Sequence, residues 1–512
     1  MSWGAAANHE AYKSACHSGA EEKLLHSDNG SALVDYGITA SEPASTSVQG
    51  PPLRRIDESS SIGGLHALVK RQAAEQTGSV AVHDIEANIK LTYGDVIASA
   101  DALAAQLQFC SIGTLAVVVL LLSPSASLVV ATLALMQVGA AWAPLDSKSP
   151  KDRLRSLIID VIDAQLVFSA ASMENESTGV EHMVPIWKLK PDGSVDQQQS
   201  VSKSAPMAKD TEVLTAASAI FCTSGSTGRP KAVAYSQETL LHGVLCFQEM
   251  CSCNRSTVSL LKCLPSWAVV EYELFPTLIS GGLLLAHGQC QANVQLLAEV
   301  LGHHQVSVLV TSGQVLRVLI DGPWSVALES SLRHVVNVGD ALKVAVCLDL
   351  QRLLGPDILI HNLYGCTESP CTRWTIQQKQ STEAAVNKKA IVPAGVPQPE
   401  VQLHILDKQL KPVSPGEVGE VCFAGKYLSL GYLHDQELTA AKFMDNPFCQ
   451  GRLYRTGDLG KWITISKTPL IGYLELVGRA DRQMNLRGIR TSPEEIESVI
   501  MQLSCVHEVA VV

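Results

Sequence analysis

A run of small and hydroxylated residues between Phe221 and Lys231 is the segment best suited to binding an anion. It consists of four hydroxyl donors, two glycines, two cations and a proline: Thr223, Ser224, Gly225, Ser226, Thr227, Gly228, Arg229, Pro230 and Lys231. The glycines let backbone N–H groups turn inward, and the lysine supplies a compact mobile cation. The order T-S-G-S-T-G-x-P-K lacks the Gly-Lys-Ser/Thr ending of a Walker loop. It predicts a different phosphate-binding loop, although Ser/Thr/Gly clusters judged by composition alone are usually ordinary surface loops.

Further motifs follow this loop along the chain. They are N-L-Y-G-C-T-E at 362–368, Y-R-T-G-D-L at 454–459, and G-R-A-D with R-G-I-R within 478–490. Together with weaker motifs at 91–95, 139–146 and 419–433, they resemble the adenylate-forming (AMP-binding) superfamily of acyl-CoA synthetases and peptide-synthetase adenylation domains. The resemblance covers nearly the whole chain after residue 60. Motif details favour the branch of β-alanine-activating, 2-aminoadipic-semialdehyde-dehydrogenase-like acyl-CoA synthetases, which implies a role in fatty acid metabolism.

The resemblance implies a role for each residue that matches the 362–368 motif. Asn362 and Tyr364 are expected at the nucleotide, with Tyr364 stacked on adenine. Thr367 is expected near the phosphates, and Glu368 is expected to hold magnesium. Because ATP brings about four negative charges beside this acid, only a divalent ion makes the arrangement tolerable. Lys231, Thr367 and Glu368 are therefore the expected catalytic residues.

The later motifs imply contacts to the sugar and a hinge. By the resemblance, Asp458 accepts hydrogen bonds from both ribose hydroxyls, Arg479 reaches the ribose, and Arg490 faces phosphate. Asp481 is expected to be the hinge whose backbone angles change between two half-reactions. The alternation of basic and apolar residues over 479–490 is also typical of a solvated strand face.

Alternating apolar and amphipathic segments predict the elements that position these residues. Strands are expected to end near Ile220 and His361, just before the two main motifs, and helices are expected between further strands. This order predicts an α/β fold, with its ligand crevice at the carboxyl ends of parallel strands. The expected architecture is a flexible leader over 1–60, a large N-terminal domain over 61–480, and a truncated α+β C-terminal subdomain over 481–512. Mixed or parallel sheets covered by helices, together with a small β subdomain, make up the large domain.

Bulk composition excludes several classes of protein. The 512 residues are 46% apolar and 17% charged, a composition typical of a globular protein rather than a disordered one. The net charge of −11 argues against a nucleic-acid surface. The uncharged segment 114–145 is divided by S-P-S-A-S at 123–127. It therefore predicts a buried strand over 115–122 and a buried helix over 128–138 rather than a membrane span.

Cysteine usage predicts a reducing compartment. Fourteen cysteines occur without regular spacing, and no apolar signal opens the chain, which predicts a cytoplasmic protein with organelle targeting left open. Cys246, Cys251, Cys253 and Cys263 lie close together in the sequence. They lack paired C-x-x-C spacing, so their spacing predicts no metal site.

Two departures from the family pattern bear on function. Ala268 stands where peptide-synthetase domains that take α-amino acids place an aspartate. Without that counter-charge an α-ammonium group would be buried unpaired, so a simple carboxylic acid or an amino acid with a distant amine is expected. The family's catalytic lysine lies late in its C-terminal domain, and the sequence ends at Val512, soon after the expected hinge.

These observations predict ATP- and Mg²⁺-dependent activation of a small carboxylic acid to acyl-AMP, with release of pyrophosphate. The acyl group would then pass to the thiol of CoA or of phosphopantetheine on an acyl carrier domain. The alternatives are a truncated, weakly active or inactive nucleotide-binding protein and an assembly-line module whose carrier lies further along a longer chain.

Overall fold

The computed structural model describes most of the chain between Gly63 and Ile500. The described residues are 25–26, 32–33, 47–50, 53, 63–173, 180, 183–199, 211–224, 230–322, 324, 331–376, 390–464, 472–481, 484–486, 489–491, 493–500, 506, 509 and 511.

The strands and helices alternate over most of the described residues. The strands are β1 (Leu25–His26), β2 (Ala32–Leu33), β3 (Ser47–Gln49), β4 (Val80–Asp84), β5 (Ile89–Thr92), β6 (Val117–Leu121), β7 (Ala141–Pro144), β8 (Leu166–Ala170), β9 (Ile186–Leu189), β10 (Val195–Gln198), β11 (Ala217–Thr223), β12 (Lys231–Ser236), β13 (Val258–Leu261), β14 (Leu283–Ala286), β15 (Val308–Thr311), β16 (His334–Val338), β17 (Leu359–Tyr364), β18 (Thr372–Ile376), β19 (Val396–Pro397), β20 (Gln402–Leu406), β21 (Gly419–Ala424), β22 (Gly431–Tyr432), β23 (Phe443–Asp445), β24 (Arg452–Thr464), β25 (Gly472–Arg479), β26 (Met484–Leu486) and β27 (Ile489–Thr491). The helices are α1 (Leu65–Glu75), α2 (Tyr93–Phe109), α3 (Ala126–Val138), α4 (Lys151–Arg155), α5 (Thr211–Ala216), α6 (Gln237–Met250), α7 (Val270–Ile279), α8 (Val294–His303), α9 (Gly313–Asp321), α10 (Val344–Leu354), α11 (Gln436–Lys442) and α12 (Pro493–Ile500), with a π-helical turn at Ser156–Val161 and a 3₁₀ turn at Gly288–Gln291.

Three larger sheets organise the molecule. A nine-stranded sheet has the order β19-β18-β17-β16-β15-β13-β14-β4-β5, and its six central strands from β17 to β4 are parallel. An eight-stranded sheet has the order β10-β9-β8-β6-β7-β11-β12-β22, with a parallel centre and antiparallel edges. A smaller antiparallel sheet contains β23, β24, β21, β20 and β3, and β25 pairs with β24. These mixed sheets and the small β sheet confirm the predicted α/β class.

The uncharged segment 114–145 folds as a strand and a helix inside the protein. All five residues of β6 are buried, and most of α3 is buried on every side. The helix begins at the Ser125 cap, whose hydroxyl accepts from the Leu128 N–H, and ends at Gly139 with a φ of 75°. Among the described residues, no helix combines the length and the apolar character that crossing a membrane requires.

Two features differ from the sequence expectation. The phosphate-loop segment is followed directly by β12, which pairs antiparallel with β11, so the loop joins two strands before α6 begins. Residues 47–49, which the sequence placed in the flexible leader, form β3 along β20. This strand pairs backbone groups of β20 that would otherwise form an open sheet edge.

Candidate functional site

A cleft of about 1790 Å³ opens beside the C-terminal ends of β11, β16 and β17. The residues that line it and were named from the sequence are Thr223, Ser224, Pro230, Asn362, Tyr364, Thr367, Asp458 and Arg479. They come from all three larger sheets and from segments far apart in sequence. The cleft lies at the carboxyl ends of parallel strands, where such sheets generally bind their ligands.

The described ends of the phosphate-loop segment meet at the cleft wall. Thr223 and Lys231 are paired across β11 and β12. The Thr223 hydroxyl oxygen is buried and has no hydrogen-bond partner among the described residues. Ser224 is also buried. Gly225, Ser226, Thr227, Gly228 and Arg229 lie outside the described residues, so their phosphate contacts stay predictions.

Lys231 and Glu368 form a buried pair just behind the lining residues. The lysine Nζ lies 4.0 Å from Glu368 Oε1, and the two side chains are 8% and 0% exposed. The Tyr432 hydroxyl donates to the same carboxylate oxygen at 2.9 Å, and Lys231 Nζ lies 5.0 Å from the centre of the Tyr432 ring. Burial raises the pKa of Tyr432, and the nearby Glu368 charge adds to the shift. The lysine and the glutamate named from the sequence are therefore direct neighbours.

A second polar group joins β17 to the small sheet. The Tyr364 hydroxyl donates to Asp458 Oδ2 at 2.7 Å, and Arg479 Nη1 donates to Asp458 Oδ1 at 2.6 Å. Asp458 and Arg479 are cross-strand partners on β24 and β25. Burial and the nearby Asp458 charge hold the pKa of Tyr364 well above its usual range. These three sequence-named residues share one hydrogen-bonded cluster on the cleft wall.

Asn362 belongs to a polar network beneath the cleft floor. It accepts a 2.7 Å hydrogen bond from Asn337 Nδ2 and donates to the Pro393 carbonyl at 2.8 Å. Asn337 also donates to the Asp340 carbonyl at 2.9 Å. The Asp340 carboxylate in turn accepts from the Gly313 N–H at the start of α9. Burial raises the pKa of Asp340, and the backbone N–H groups oppose this shift.

A different set of side chains lines another part of the same cleft. Trp267, Ala268, Glu271 and Tyr272 lie at and just before the first turn of α7. Glu271 is buried, and its Oε2 finds no hydrogen-bond partner in the part of the chain that the structure describes. Burial raises the pKa of this carboxyl to about 8. Gly243 leaves room for it, since a Cβ there would lie 3.0 Å from Glu271 Oε1.

Two of the residues named from the sequence lie at or beyond the edge of the described site. Asp481 forms a two-point contact with Arg479, with distances of 2.6 and 2.8 Å. Arg490 lies on β27, which forms a hairpin with β26. The hinge role of Asp481 and the phosphate role of Arg490 stay predictions.

Sequence reasoning overlooked two side chains that the structure brings to this region. Tyr432 lies in the weaker motif at 419–433, for which the sequence analysis named no site residue, and its contact with Glu368 depends on β22 pairing with β12. Glu271 lies next to Tyr272, and nothing in the local sequence distinguishes it from a surface helical glutamate. Its burial becomes evident only in the structure, where all ten residues of α7 are buried.

The chemistry around Glu368 fits a magnesium ion. Magnesium prefers hard oxygen ligands and often takes one or two carboxylates together with substrate phosphates. Glu368 offers such an oxygen donor directly after Thr367, which lines the cleft. Glu368 is the residue that would hold the ion.

Comparisons with known sequences identify similar proteins. The chain is 30% identical over 432 residues to Dimodular nonribosomal peptide synthase of Bacillus subtilis (strain 168), covering 83% of this chain and 17% of that protein. It is 28% identical over 454 residues to Tyrocidine synthase 3 of Brevibacillus parabrevis, covering 87% of this chain and 6% of that protein. The chain thus spans less than a fifth of the length of either curated relative.

A comparison with solved structures confirms the fold. The structure of "NpsA-ThdA, an artificially fused Adenylation-PCP di-domain NRPS from Klebsiella oxytoca" superposes with a TM-score of 0.70 at 24% identity, covering 88% of this chain and 85% of that one. These similar proteins include a peptide synthase and an adenylation di-domain. They do not support the β-alanine-activating acyl-CoA synthetase branch or the role in fatty acid metabolism expected from the sequence, because the motif details behind that expectation are shared with peptide-synthetase domains. Residues 69–433, more than half of the 512, match the family described as "AMP-binding enzyme", and the chain belongs to that family.

Proposed function

We propose that the chain activates a carboxylic acid with ATP and transfers the acyl group to a carrier-bound thiol. In the first step a carboxylate oxygen attacks the α-phosphorus of ATP, the bond to pyrophosphate breaks, and acyl-AMP forms. In the second step a thiolate attacks the acyl carbonyl and AMP leaves. The observation that carries this proposal is the meeting of Thr223, Tyr364, Thr367, Asp458 and Arg479 at one cleft in a member of the AMP-binding enzyme family.

Each part of the cleft has a proposed task. Asp458 and Arg479 bind the ribose, and Tyr364 positions the adenine, from the cluster on β17, β24 and β25. The Thr223 and Ser224 hydroxyls and the loop up to Pro230 bind phosphate oxygens. Lys231 stabilises the charge that develops on the departing pyrophosphate, and Glu368 holds magnesium. When bound, magnesium neutralises phosphate charge, so positioning and electrostatic stabilisation account for most of the catalysis.

A carrier thiol is a better supported acceptor than CoA. The similar chains carry the words "peptide synthase" and "Adenylation-PCP di-domain" in their names. We therefore propose phosphopantetheine on an acyl carrier domain as the acceptor. We also propose that 61–480 is the adenylation domain and that the C-terminal domain begins at Asp481.

Ala268 and Glu271 restrict the class of acid. Ala268 provides no counter-charge for an α-ammonium group, so an α-amino acid would bury an uncompensated charge there. Glu271 lines the same wall three residues later, with one carboxylate oxygen that no described donor reaches. The proposed substrate is a simple carboxylic acid or an amino acid whose amine is remote from its carboxylate.

An ATP–pyrophosphate exchange assay tests this proposal. The panel contains matched acids with no amine, an α-amine or a remote amine, and the nucleotide and Mg²⁺ are kept constant. We expect exchange with acids from the first or third group and little with the second. The decisive measurement uses a chain that contains the complete C-terminal domain. The catalytic proposal would be overturned if ATP raised the melting temperature of that chain but no acid supported exchange.

A further inference from the structure

Three possible metal ligands meet on one face of the nine-stranded sheet. His334 opens β16, and His361 lies in the neighbouring strand β17. Val336 pairs with His361, and side chains two residues apart on a strand share a face, so both histidines point to the same side. Cys251 ends α6 and packs in the same apolar cluster as Val336. The two histidines are thereby brought together with a cysteine more than 80 positions earlier.

The ligand atoms of these residues are close enough to surround one ion. His334 Nδ1 lies 3.0 Å from His361 Nε2, and one ring nitrogen of each histidine and the Cys251 sulfur all lie within 4.8 Å of one another. Two imidazole nitrogens bound to tetrahedral zinc at ~2.0 Å are ~3.3 Å apart. The two nitrogens are therefore already near the required separation. A sulfur bound to the same zinc lies ~3.6 Å from each nitrogen, so the sulfur must move by about 1.2 Å at most from the 4.8 Å limit.

The surroundings of the three residues suit a metal ligand set. His361 Nδ1 lies 2.9 Å from the Thr375 hydroxyl, on the directly opposite residue of β18. A hydrogen bond at the outer nitrogen fixes the ring orientation and leaves Nε2 facing the cluster, as in known metal sites. His334 is only half-buried, which provides access from solvent.

We propose that Cys251, His334 and His361 bind a zinc ion, with water completing a tetrahedral site. Thiolate and imidazole are the ligands that zinc prefers, and a sulfur ligand disfavours magnesium and calcium. Binding releases the Cys251 thiol proton to solvent. The proton between the two rings moves to His334 Nε2, so that both inner nitrogens face the ion. This proposal does not depend on the proposed acyl activation.

The site ties the end of α6 to the sheet away from the nucleotide cleft. Tyr364 follows His361 on the same strand by three residues, or ~10 Å. The ion therefore fixes the strand that carries Tyr364, the residue proposed to position adenine, without contacting the nucleotide. Its expected effect is on stability, because a ligand bound only by the folded chain raises the melting temperature.

Cobalt titration of the metal-depleted full chain tests the proposal. Cobalt(II) bound to a thiolate produces a charge-transfer absorption that is absent at oxygen or nitrogen sites. We expect this band to saturate at a single equivalent and to disappear when zinc is added. Cys251→Ser removes the band, and Thr375→Val, which keeps all three ligands, weakens cobalt binding ~10-fold.

Cys253→Ser is the matched control, because Cys253 is also buried in the same cluster but lies outside the ligand set. This variant keeps the band and the affinity. The proposal is overturned if the natural chain gives no thiolate band at saturating cobalt, or if the band survives in Cys251→Ser. If Cys251→Ser fails to fold, two other results together would overturn the proposal equally. They are an unchanged cobalt affinity in folded Thr375→Val and no zinc-dependent rise in the melting temperature of the natural chain.

Discussion

The Tyr364 hydroxyl donates a 2.7 Å hydrogen bond to the Asp458 carboxylate, joining the nine-stranded sheet to the small antiparallel sheet. Arg479 holds the other carboxylate oxygen at 2.6 Å. Two donors from different strands thus fix one carboxylate at the cleft wall. Such preorganisation reduces the entropy cost of binding a nucleotide at this position.

Replacing Arg479 by Gln tests this cluster. Loss of a charge-assisted hydrogen bond costs ~1.5–3 kcal/mol, so the KM for ATP should rise ~10- to 100-fold in pyrophosphate exchange. Arg455→Gln is the matched control, because Arg455 pairs with Glu420 at 2.6 Å in the same sheet without lining the cleft. Its KM for ATP should stay unchanged. Equal effects of the two variants would contradict a nucleotide role for Arg479.

Replacing Glu368 by Gln separates catalysis from stability. The change leaves Lys231 without its buried carboxylate neighbour, and breaking a buried ion pair costs ~3–5 kcal/mol. Urea unfolding should show this loss, and exchange per folded molecule should fall much further than ATP binding. The reason is that the proposed magnesium ligand acts on the reacting phosphates.

The Lys262–Glu273 pair provides the control for Glu368. It is similarly buried, with Nζ and Oε1 3.1 Å apart, and neither residue lines the cleft. Glu273→Gln should lose stability to a similar degree but retain exchange per folded molecule and its magnesium dependence. If Glu368→Gln reduced ATP binding and exchange by the same factor, its metal role would be wrong.

The sequence was sufficient to predict most of the elements around the site. The uncharged segment 114–145 placed a strand within two positions of β6 and a helix within two positions of α3, because both elements are apolar runs that the fold buries. The sequence also placed strands before both main motifs. The fold class followed from the alternation of those elements, and the comparison with a solved structure confirms it.

Contacts between segments that are distant in the sequence could not be predicted from the sequence alone. The hydrogen bond between Tyr432 and Glu368 depends on β22 pairing with β12, and no local pattern specifies that partner. The cluster of Cys251 with two histidines has the same origin, since cysteine spacing contains no information about strand register. The strand that follows the phosphate-loop segment was not predicted, because Lys231–Ser236 is short and directly precedes a clear helix.

Glu271 should make stability depend on pH. Burial raises its pKa from 4.5 to about 8, so the folded chain retains a proton that the unfolded chain loses in this range. Stability is fully present below the unfolded pKa and falls as pH rises towards 8, with a slope of ~1.4 kcal/mol per pH unit. Glu271→Gln removes this contribution and should be increasingly more stable than the natural chain as pH rises.

Urea unfolding of both chains across this pH range measures the difference. Glu299→Gln is the control, because Glu299 lies on the exposed face of α8 and has no place in the cleft. Its stability should follow that of the natural chain at every pH. Parallel curves for Glu271→Gln and the natural chain would show that Glu271 does not titrate as a buried carboxyl.

Placing a carboxylate at position 268 should change the preferred acid. Ala268 is half-buried on the cleft wall beside Trp267, and Ala268→Asp supplies the counter-charge that an α-ammonium group needs. The ratio of kcat/KM for an α-amino acid to that for its deamino analogue should rise ~10-fold or more, since a charged hydrogen bond contributes ~1.5–3 kcal/mol. Ala268→Asn has nearly the same shape without the charge, so it should leave the ratio near that of the natural chain. If both folded variants shifted the ratio equally, shape rather than charge would govern selection, and the substrate class inferred from Ala268 would be wrong.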